Sequence, residues 1–455
     1  MLVVAQRLPA DFALVDFVRS TARSRRVASR GADREASTYE AFVLRRADAK
    51  SSLAVNWLHL GPAEPIEQAV EQWRQSGRGR GLQRIDAPQP SQWRAAGQTL
   101  RELIWDKIAP QLAGVSTVIL IPDGTLTRIP WAALPGNRQD SFLIEDYALG
   151  TLGYGQQLAA LALPATPGSE MLVVGGVHFD KRPTSVDLPL AAGSRLVTER
   201  GGRGKCWAYL EGTNREAERI ARLCPSGIKP RLLRGTEPSE AAVAHWMPDS
   251  RYVHLATHGY FSDPMPASQQ QLPRGLKDTT LGARRGVLDG TQNPLILSGL
   301  ALAGANLPPP KDEFGLTLEG DGVLTAEEIV NLDLSGTELV VLSACETGLG
   351  PAAVGEGVFG LQRAFASAGA KTVIASLWKV DDAATQTLMV EFYQNLWQRK
   401  LGKLEALRQA QLTMLRRYDI ARGQLSAAPG QDGTALAARL PPFYWAAFVL
   451  SDDWR

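Results

Sequence analysis

Two apolar segments of the chain each end on a side chain that can take part in nucleophilic catalysis. Arg251–Thr257 leads into His258 and Gly259, and Glu338–Ala344 leads into Cys345. Apolar runs of this kind predict strands of a parallel sheet, whose carboxyl ends collect reactive groups at one edge. A free thiol titrates at about pH 8.5, so catalysis by cysteine needs an imidazole that can take its proton. The spacing therefore predicts a cysteine nucleophile paired with a histidine base.

The main chain beside these residues predicts an oxyanion site. Glycine lets the backbone approach a reacting carbonyl, and the N–H groups of Gly259 and Cys345 could stabilise the developing negative charge. The alternative for Cys345 is structural, because a cysteine after an apolar strand often serves as a small buried hydrophobe. Residue type and spacing leave both interpretations open.

Metal chemistry is disfavoured by the same strand prediction. His254 and His258 are four residues apart, a spacing that spans roughly 13 Å along a strand, too far for one ion. The chain also contains no GxSxG, HExxH or Walker A sequence, which argues against α/β-hydrolase, zincin and nucleotide-hydrolase chemistry. We therefore expect neither a metal nor another cofactor.

The elements that must position the two residues follow an alternating pattern of strands and helices. An α/β layered fold with a mostly parallel sheet is the expected result. Further strands are predicted at Ala13–Arg19, Glu40–Arg45, Thr117–Ile121, Met171–Val174, Arg231–Leu233, Lys371–Leu377 and Trp445–Leu450. Helices are predicted at Thr99–Ala109, Asn214–Leu223, Val358–Ala368, Asp382–Arg399 and Lys403–Tyr418, and a capping box begins at Thr325.

Two segments interrupt this pattern. The Pro-, Gly- and Ser-bearing stretch Leu163–Glu170 predicts a boundary between an N-terminal half, 1–162, and a second half, 163–455. Phe261–Gly322 is far longer than an ordinary loop, and such loops are usually functional or disordered. We hypothesise that it covers the mouth of the site and that Arg284–Gly286 is a point of self-cleavage. The alternative is a passive surface insertion.

Composition limits the partners and the compartment. The 455 residues carry 49 Lys+Arg and 47 Asp+Glu, a net charge of +2. This balance gives no electrostatic reason to expect direct binding to nucleic acid or to an anionic membrane. Three cysteines, Cys206, Cys224 and Cys345, are too few for a disulfide framework, and neither a signal peptide nor a membrane span is predicted. We expect a cytoplasmic protein.

Several long motifs, in order, resemble the bacterial CHAT family of caspase-like domains related to separase. They are HLATHGYF at 254–261, SGLALAGAN at 298–306, DGVLTAEEI at 321–329, LVVLSACETGLG at 339–350, GEGVFGLQRAFASAGAKTVIASLWKVDD at 355–382 and FYWAAFVLSDDW at 443–454. The resemblance implies a caspase-like three-layer α/β sandwich with a central, mostly parallel sheet. Residues 1–162 would form an accessory, degenerate caspase-like half, and His258 and Cys345 take the places of the family's catalytic pair.

The resemblance also implies a function. Bacterial members act as cysteine endopeptidases in limited proteolysis, several in antiphage defence, with gasdermin pore-formers among their partners. A gasdermin-like or other single protein substrate is therefore expected. The tetratricopeptide repeats that often precede the domain are absent from this sequence, so recruitment would use another surface, an upstream sensor or a repeat-containing partner. A catalytically silent scaffold and an acyl transferase that uses the same thiol remain alternatives.

Adjacent carboxylates after the strand at Lys371–Leu377 predict the substrate preference. LWKVDD, at 377–382, resembles the separase segment that lines an arginine-selecting pocket, so Trp378, Asp381 and Asp382 are candidate substrate-binding residues. A carboxylate there can bind a basic P1 side chain through charge-assisted hydrogen bonds. We assign Asp381 to the pocket and Asp382 to the N-cap of the next helix, and an error of one residue would exchange these roles.

Overall fold

The computed structural model describes residues 9–22, 36–46, 53–77, 90–153, 155, 166–184, 206–261, 295, 298–308, 320–343, 360–378, 380–420, 422–425 and 439–455. Cys345 lies outside these residues, as does Arg284–Gly286. His258, Gly259, Trp378, Asp381 and Asp382 all lie within them.

The described residues contain sixteen strands. They are β1 (Phe12–Ala22), β2 (Ala36–Arg46), β3 (Leu53–Pro62), β4 (Thr117–Ile121), β5 (Ala148–Thr151), β6 (Glu170–Val177), β7 (Lys229–Gly235), β8 (Ser250–Leu255), β9 (Gly259–Phe261), β10 (Ser298–Ala301), β11 (Val323–Thr325), β12 (Leu339–Leu342), β13 (Thr372–Ser376), β14 (Tyr418–Asp419), β15 (Gln424–Leu425) and β16 (Phe448–Asp452). Eleven of them form one sheet in the order β3-β2-β1-β4-β5-β16-β13-β12-β8-β6-β7.

Most neighbours in this sheet are parallel. β1, β4, β5 and β16 run in the same direction, and so do β13, β12, β8, β6 and β7. β16 is antiparallel to β13, and β1, β2 and β3 form an antiparallel meander at one edge. Strands β9, β10 and β11 form a separate three-stranded antiparallel sheet.

Ten α-helical segments lie among the described residues. They are α1 (Ala63–Gly77), α2 (Pro90–Leu100), α3 (Asp106–Ile108), α4 (Leu143–Asp146), α5 (Glu211–Leu223), α6 (Glu240–Trp246), α7 (Ala326–Val330), α8 (Gly360–Ser367), α9 (Asp382–Tyr393) and α10 (Lys403–Arg417). A π turn at Arg101–Trp105 joins α2 to α3, and a second one, Gln394–Gln398, continues α9.

Both faces of the central strands are covered, which explains their continuous apolar sequences. On β6, Met171 and Val173 belong to the core that contains α5, α9 and α10. Leu172 and Val174 belong to the core that contains α6, α7 and α8. The sheet therefore lies between two helical layers. The predicted α/β sandwich with a central, mostly parallel sheet is confirmed.

Glycines on β6 bring α5 close to the sheet. A Cβ added at Gly175 would lie 2.4 Å from the carbonyl oxygen of Thr213, and Gly176 has a φ of +60°. Any larger residue would push the beginning of α5 away, because these contacts are to backbone or to Cβ atoms. This close approach positions Thr213 and Glu216 beside the ends of the strands.

Local predictions differ from the structure at a few places. The helix expected from Thr99 begins at Pro90, because the indole ring of Trp93 packs 4.5 Å from that of Trp73 and extends the buried face. The strand expected at Trp445–Leu450 begins at Phe448, the residue that pairs with Ser376. Several elements were not predicted: strands β3, β5, β9, β10, β11, β14 and β15 and helices α1, α4 and α6. The capping box at Thr325 is confirmed.

The sheet crosses the predicted boundary between the two halves. Thr151 of β5 pairs with Ser451 of β16, and the hydroxyl groups of these two residues are 2.9 Å apart. The last strand of the chain, β16, therefore joins the strands of 1–162 to the other strands of 163–455 in one sheet. No helix within the described ranges has the length and apolar character needed to cross a bilayer.

Candidate active site

Four parallel strands end at the same edge of the sheet and bring aromatic and polar side chains to that edge. Phe179 follows β6, His258 follows β8, Ser343 follows β12 and Trp378 follows β13. Since β12 pairs with β8, with Leu342 opposite Leu255, the chain leaves β12 next to the segment that carries His258. Cys345 is two residues beyond Ser343 in the sequence.

The imidazole of His258 is held by a main-chain carbonyl. Its Nε2 lies 2.8 Å from the carbonyl oxygen of Ala208. A carbonyl oxygen can only accept a hydrogen bond, so Nε2 must carry the proton. In the neutral ring, Nδ1 is therefore the basic nitrogen.

Two aromatic rings contact the same imidazole. The ring centroids of Phe179 and Trp207 each lie 5.2 Å from that of His258. His258 is half-buried as a result, with its ring confined but not sealed from solvent. This environment limits the rotation of the ring and preserves its hydrogen bond to Ala208.

Asn306 fixes the segment that carries the Ala208 carbonyl. Its Oδ1 accepts from the N–H of Trp207 at 2.8 Å, and its Nδ2 donates to the carbonyl of Trp207 at 2.9 Å. Nδ2 also donates to Asp180 at 2.7 Å. Asn306 is the last residue of the SGLALAGAN motif, and no local sequence pattern predicts this role.

We expect Asn306→Ala to lower kcat about 10- to 100-fold, with a smaller change in KM, for any reaction in which His258 acts as the base. The loss of a positioned base accounts for this range, since general acid–base catalysis contributes roughly 10²–10⁴-fold. Steady-state kinetics of such a reaction would measure it. Asn331→Ala is the matched control, because Asn331 donates to the Glu327 carbonyl on an exposed surface. Equal kinetics for the two variants would contradict the positioning role.

A cavity lies at the same edge of the sheet, beside Ser343. It is small, with about 20 Å³ of space for the centre of a water-sized sphere. It is lined by Leu210, Thr213, Glu216, Ser343, Ser376, Val380, Asp382, Thr385 and Phe448. Two carboxylates and four hydroxyl groups therefore share a space whose remaining walls are apolar.

The deeper of the two carboxylates belongs to a buried chain of hydrogen bonds. Glu216 is 1% exposed, and its Oε1 accepts from Nε2 of His254 at 3.0 Å. Nδ1 of His254 lies 3.2 Å from the Tyr393 hydroxyl. Burial and the charge of Glu216 raise the pKa of Tyr393 well above its ordinary value, so the phenol stays protonated and can donate. His254 thus binds a carboxylate and a phenol.

The N-cap of α9 is the other of the two adjacent aspartates. Asp381 is the N-cap of α9, where its Oδ1 accepts from the N–H groups of Ala383 at 3.1 Å and Ala384 at 3.0 Å. The prediction that Asp382 is this cap is therefore wrong. The helix begins one residue earlier than the pattern indicated, and Asp382, in its first turn, lines the cavity.

The start of α9 lies against the start of α5. A Cβ added at Gly212 would meet the Cβ of Asp382 at 2.8 Å. Trp378 is half-buried, with its indole N–H donating to the Phe443 carbonyl at 3.0 Å. Its ring centroid lies 6.0 Å from that of Trp93 on α2. A role of Trp378 in substrate binding stays a prediction.

The structure also describes the predicted oxyanion residue Gly259 and two of the three cysteines. Gly259 begins β9 and pairs with Leu300. Cys206 is exposed, and burial raises the pKa of the Cys224 thiol to about 11. No group of three or more His, Cys, Asp and Glu residues suited to a metal ion occurs within the described parts of the chain.

A family model identifies the architecture to which this site belongs. The model described as "CHAT domain" matches residues 94–453. The chain belongs to the CHAT domain family. The match includes all the residues named around His258 and around the cavity, and it begins within the proposed N-terminal half, at α2.

Curated relatives of this CHAT chain include a much longer protein. Tetratricopeptide repeat protein 28 of Homo sapiens is 25% identical over 300 residues, which cover 61% of this chain. The mouse protein of the same name is 25% identical over 293 residues. The chain spans about a tenth of the length of these relatives, since the match covers 10% of each.

Two solved structures are similar to this CHAT chain at low sequence identity. Separase in the Saccharomyces cerevisiae separase–securin complex is 10% identical, with a TM-score of 0.39, over 89% of this chain and 20% of the other. The Arg-specific cysteine proteinase gingipain R is 11% identical, with a TM-score of 0.41, over 86% of this chain and 74% of the other.

Proposed function

We propose that this CHAT protein is a cysteine endopeptidase that carries out limited proteolysis of a partner protein. The observation that carries the proposal is the state of His258, whose ring stands at a strand end with Nε2 tied to the Ala208 carbonyl. That arrangement makes Nδ1 the basic nitrogen. Cys345 follows the adjacent strand, which makes it the nucleophile on this account.

In the proposed mechanism, Cys345 is the nucleophile and His258 moves the protons. Nδ1 of His258 takes the proton of the Cys345 thiol, and the thiolate attacks the scissile peptide carbonyl. Backbone N–H groups at Gly259 and Cys345 stabilise the tetrahedral oxyanion. His258 then gives the proton to the leaving amine, which breaks the C–N bond and leaves a thioester. Water, deprotonated by the same imidazole, hydrolyses the thioester and restores the enzyme.

The position of Asp382 supports a preference for a basic side chain at P1. Asp382 lines the cavity, and a carboxylate in a pocket of low polarity binds a cation more strongly than one in water. Ser343, which lines the cavity, lies two residues before Cys345 in the sequence. We therefore propose that cleavage follows arginine or lysine, with Asp382 in the role that we first assigned to Asp381.

A panel of fluorogenic peptides with Arg, Lys, Leu or Asp at P1 tests the activity. The proposal predicts cleavage that is fastest after Arg and that is lost in Cys345→Ala. A scaffold that binds a partner without cutting it would leave every peptide intact. An acyl transferase would consume a thioester or an activated acyl donor and pass the acyl group to an added amine in preference to water.

The family resemblance supports a more specific substrate. A gasdermin-like pore-former of a bacterial antiphage system is the proposed target, and the repeat-containing relatives support a tetratricopeptide-repeat protein as a recruiting partner. Residues 1–162 would act as an accessory half that extends the catalytic sheet. Co-incubation of purified protein with a gasdermin-like protein, followed by intact-mass analysis, would test the target. One defined cut is expected, and an uncut protein would exclude it.

A further inference from the structure

The two edges of the eleven-stranded sheet differ in charge. At one edge, β7 carries Lys229, Arg231 and Arg234, and its second residue is Pro230. Charged side chains and proline on an edge strand hinder its pairing with a further strand. At the other edge, β3 has the sequence LAVNWLHLGP, which contains no Lys, Arg, Asp or Glu. The β7 edge is therefore protected, whereas the β3 edge is open to another strand.

The open edge also carries exposed apolar side chains. Within the described residues, β3 pairs with β2 alone, so its other side presents main-chain N–H and C=O groups. Val55 is 54% exposed and Trp57 is 61% exposed, although side chains of these types are usually buried. Phe42 is opposite Trp57 on the same face and is half-buried. An uncharged edge strand with an exposed apolar row is the kind of surface to which a second strand adds.

We propose that β3 pairs with β3 of a second copy of this chain, antiparallel and about a two-fold axis. A two-fold interface uses the same surface on both copies, so the open edge of one supplies the partner for the open edge of the other. Directly opposite residues of an antiparallel pair point to the same face of the sheet. The arrangement that keeps Val55, Trp57 and His59 on one face places Trp57 opposite Trp57 of the second copy, with Val55 opposite His59.

Charges at the two ends of β3 favour this antiparallel arrangement. Arg45 and Arg46 on β2 lie opposite the start of β3, and Glu64 follows its end, in the first turn of α1. The guanidinium group of Arg45 donates to the carbonyl oxygens of Gln111 and Ala113, which carry no charge. An antiparallel pair brings the basic end of one β3 to the acidic end of the other. A parallel pair would bring like charges together, which disfavours association.

The proposed interface is far from the candidate active site. β3 is the first strand in the order of the sheet and β8, which precedes His258, is the ninth, so eight strand spacings separate them. At about 4.8 Å for each spacing, the separation is roughly 38 Å. The pairing therefore leaves the strand ends around His258 uncovered in both copies, and the inference does not depend on the proteolytic function.

Sedimentation velocity of the 455-residue chain over a concentration series tests the inference. We expect a dimer of twice 49.2 kDa. Its dissociation constant should rise about tenfold or more in Trp57→Lys, because like charges then lie opposite each other. Val18→Lys is the matched control, since Val18 is 38% exposed on the same face but lies on β1, two strands in from the edge. A wild-type chain that is monomeric at about 100 µM, or an equal loss of dimer in both variants, would overturn the inference.

A mixing experiment tests the two-fold arrangement itself. Trp57→Lys and Trp57→Glu should each be largely monomeric, and an equimolar mixture should form dimers, because opposite charges then face each other across the axis. Circular dichroism would check that each variant is folded, which the exposure of Trp57 leads us to expect. Val55→Lys should also weaken the dimer and keeps the test decisive if a Trp57 variant does not fold. A mixture no more dimeric than its two components would overturn the arrangement.

Discussion

Cys345→Ala is expected to abolish peptide cleavage by this CHAT protein, and His258→Ala to lower it by roughly 10²–10⁴-fold, the range for a lost general base. The two residues act as one unit in forming the thiolate. The double variant should therefore be no slower than Cys345→Ala alone, because such effects do not add. Steady-state rates on the fluorogenic panel, with circular dichroism to confirm folding, would measure these losses.

The other two cysteines supply the controls for this result. Burial raises the pKa of the Cys224 thiol to about 11, so it carries little thiolate at neutral pH. Cys206 is exposed, and the residue after it, Trp207, is the one that contacts the imidazole of His258. Both alanine variants should retain wild-type turnover. If Cys345→Ala retained it as well, the assignment of the nucleophile would be wrong.

Asp382→Ala is expected to reduce kcat/KM for cleavage after arginine about 30-fold or more. Removing one partner of a desolvated charge pair costs about 2–5 kcal/mol, and 2 kcal/mol corresponds to roughly 30-fold. The loss should be small for a leucine peptide, whose side chain makes no ion pair. Matched peptides that differ only at P1 would measure the selectivity.

Asp381→Ala is the control for this selectivity, because the two aspartates are adjacent and only Asp381 caps α9. Loss of an N-cap costs about 1 kcal/mol of folding free energy. Asp381→Ala should therefore lower the midpoint of denaturant unfolding and leave the preference for arginine unchanged. A wild-type preference for leucine or aspartate at P1, or the reverse behaviour of the two variants, would contradict the acidic pocket.

The central part of the fold could be predicted from sequence because its signals are local. The strands that precede His258 and Cys345 are continuous apolar runs, because side chains pack against both faces of the sheet. The capping box at Thr325 is equally local, because its two hydrogen bonds join residues three positions apart. Strands β2 and β3 lie at the edge of the sheet and are half-exposed, so their sequences are less continuously apolar. Strand β3 was not predicted.

The groups that orient the site could not be predicted, because their contacts join distant parts of the chain. Ala208 acts through a main-chain carbonyl, to which its residue type contributes nothing, and its partner His258 is 50 residues away. In the sequence, Glu216 is one of several charged residues on an amphipathic helix. Only the packing of this helix against β6 shows that Glu216 is buried near the ends of the strands. The roles of Asp381 and Asp382 depended on a helix boundary, where sequence patterns are uncertain by a few residues.

Covalent labelling tests the central claim most directly. A peptidyl acyloxymethyl ketone reacts with the nucleophile of a cysteine protease, and mass spectrometry of the digested protein identifies the labelled residue. The account predicts a single adduct, on Cys345, whose formation parallels the loss of peptide cleavage and slows at least 100-fold in His258→Ala. Inactivation with the adduct on Cys206 or Cys224, or labelling of Cys345 at the same rate with and without His258, would contradict it.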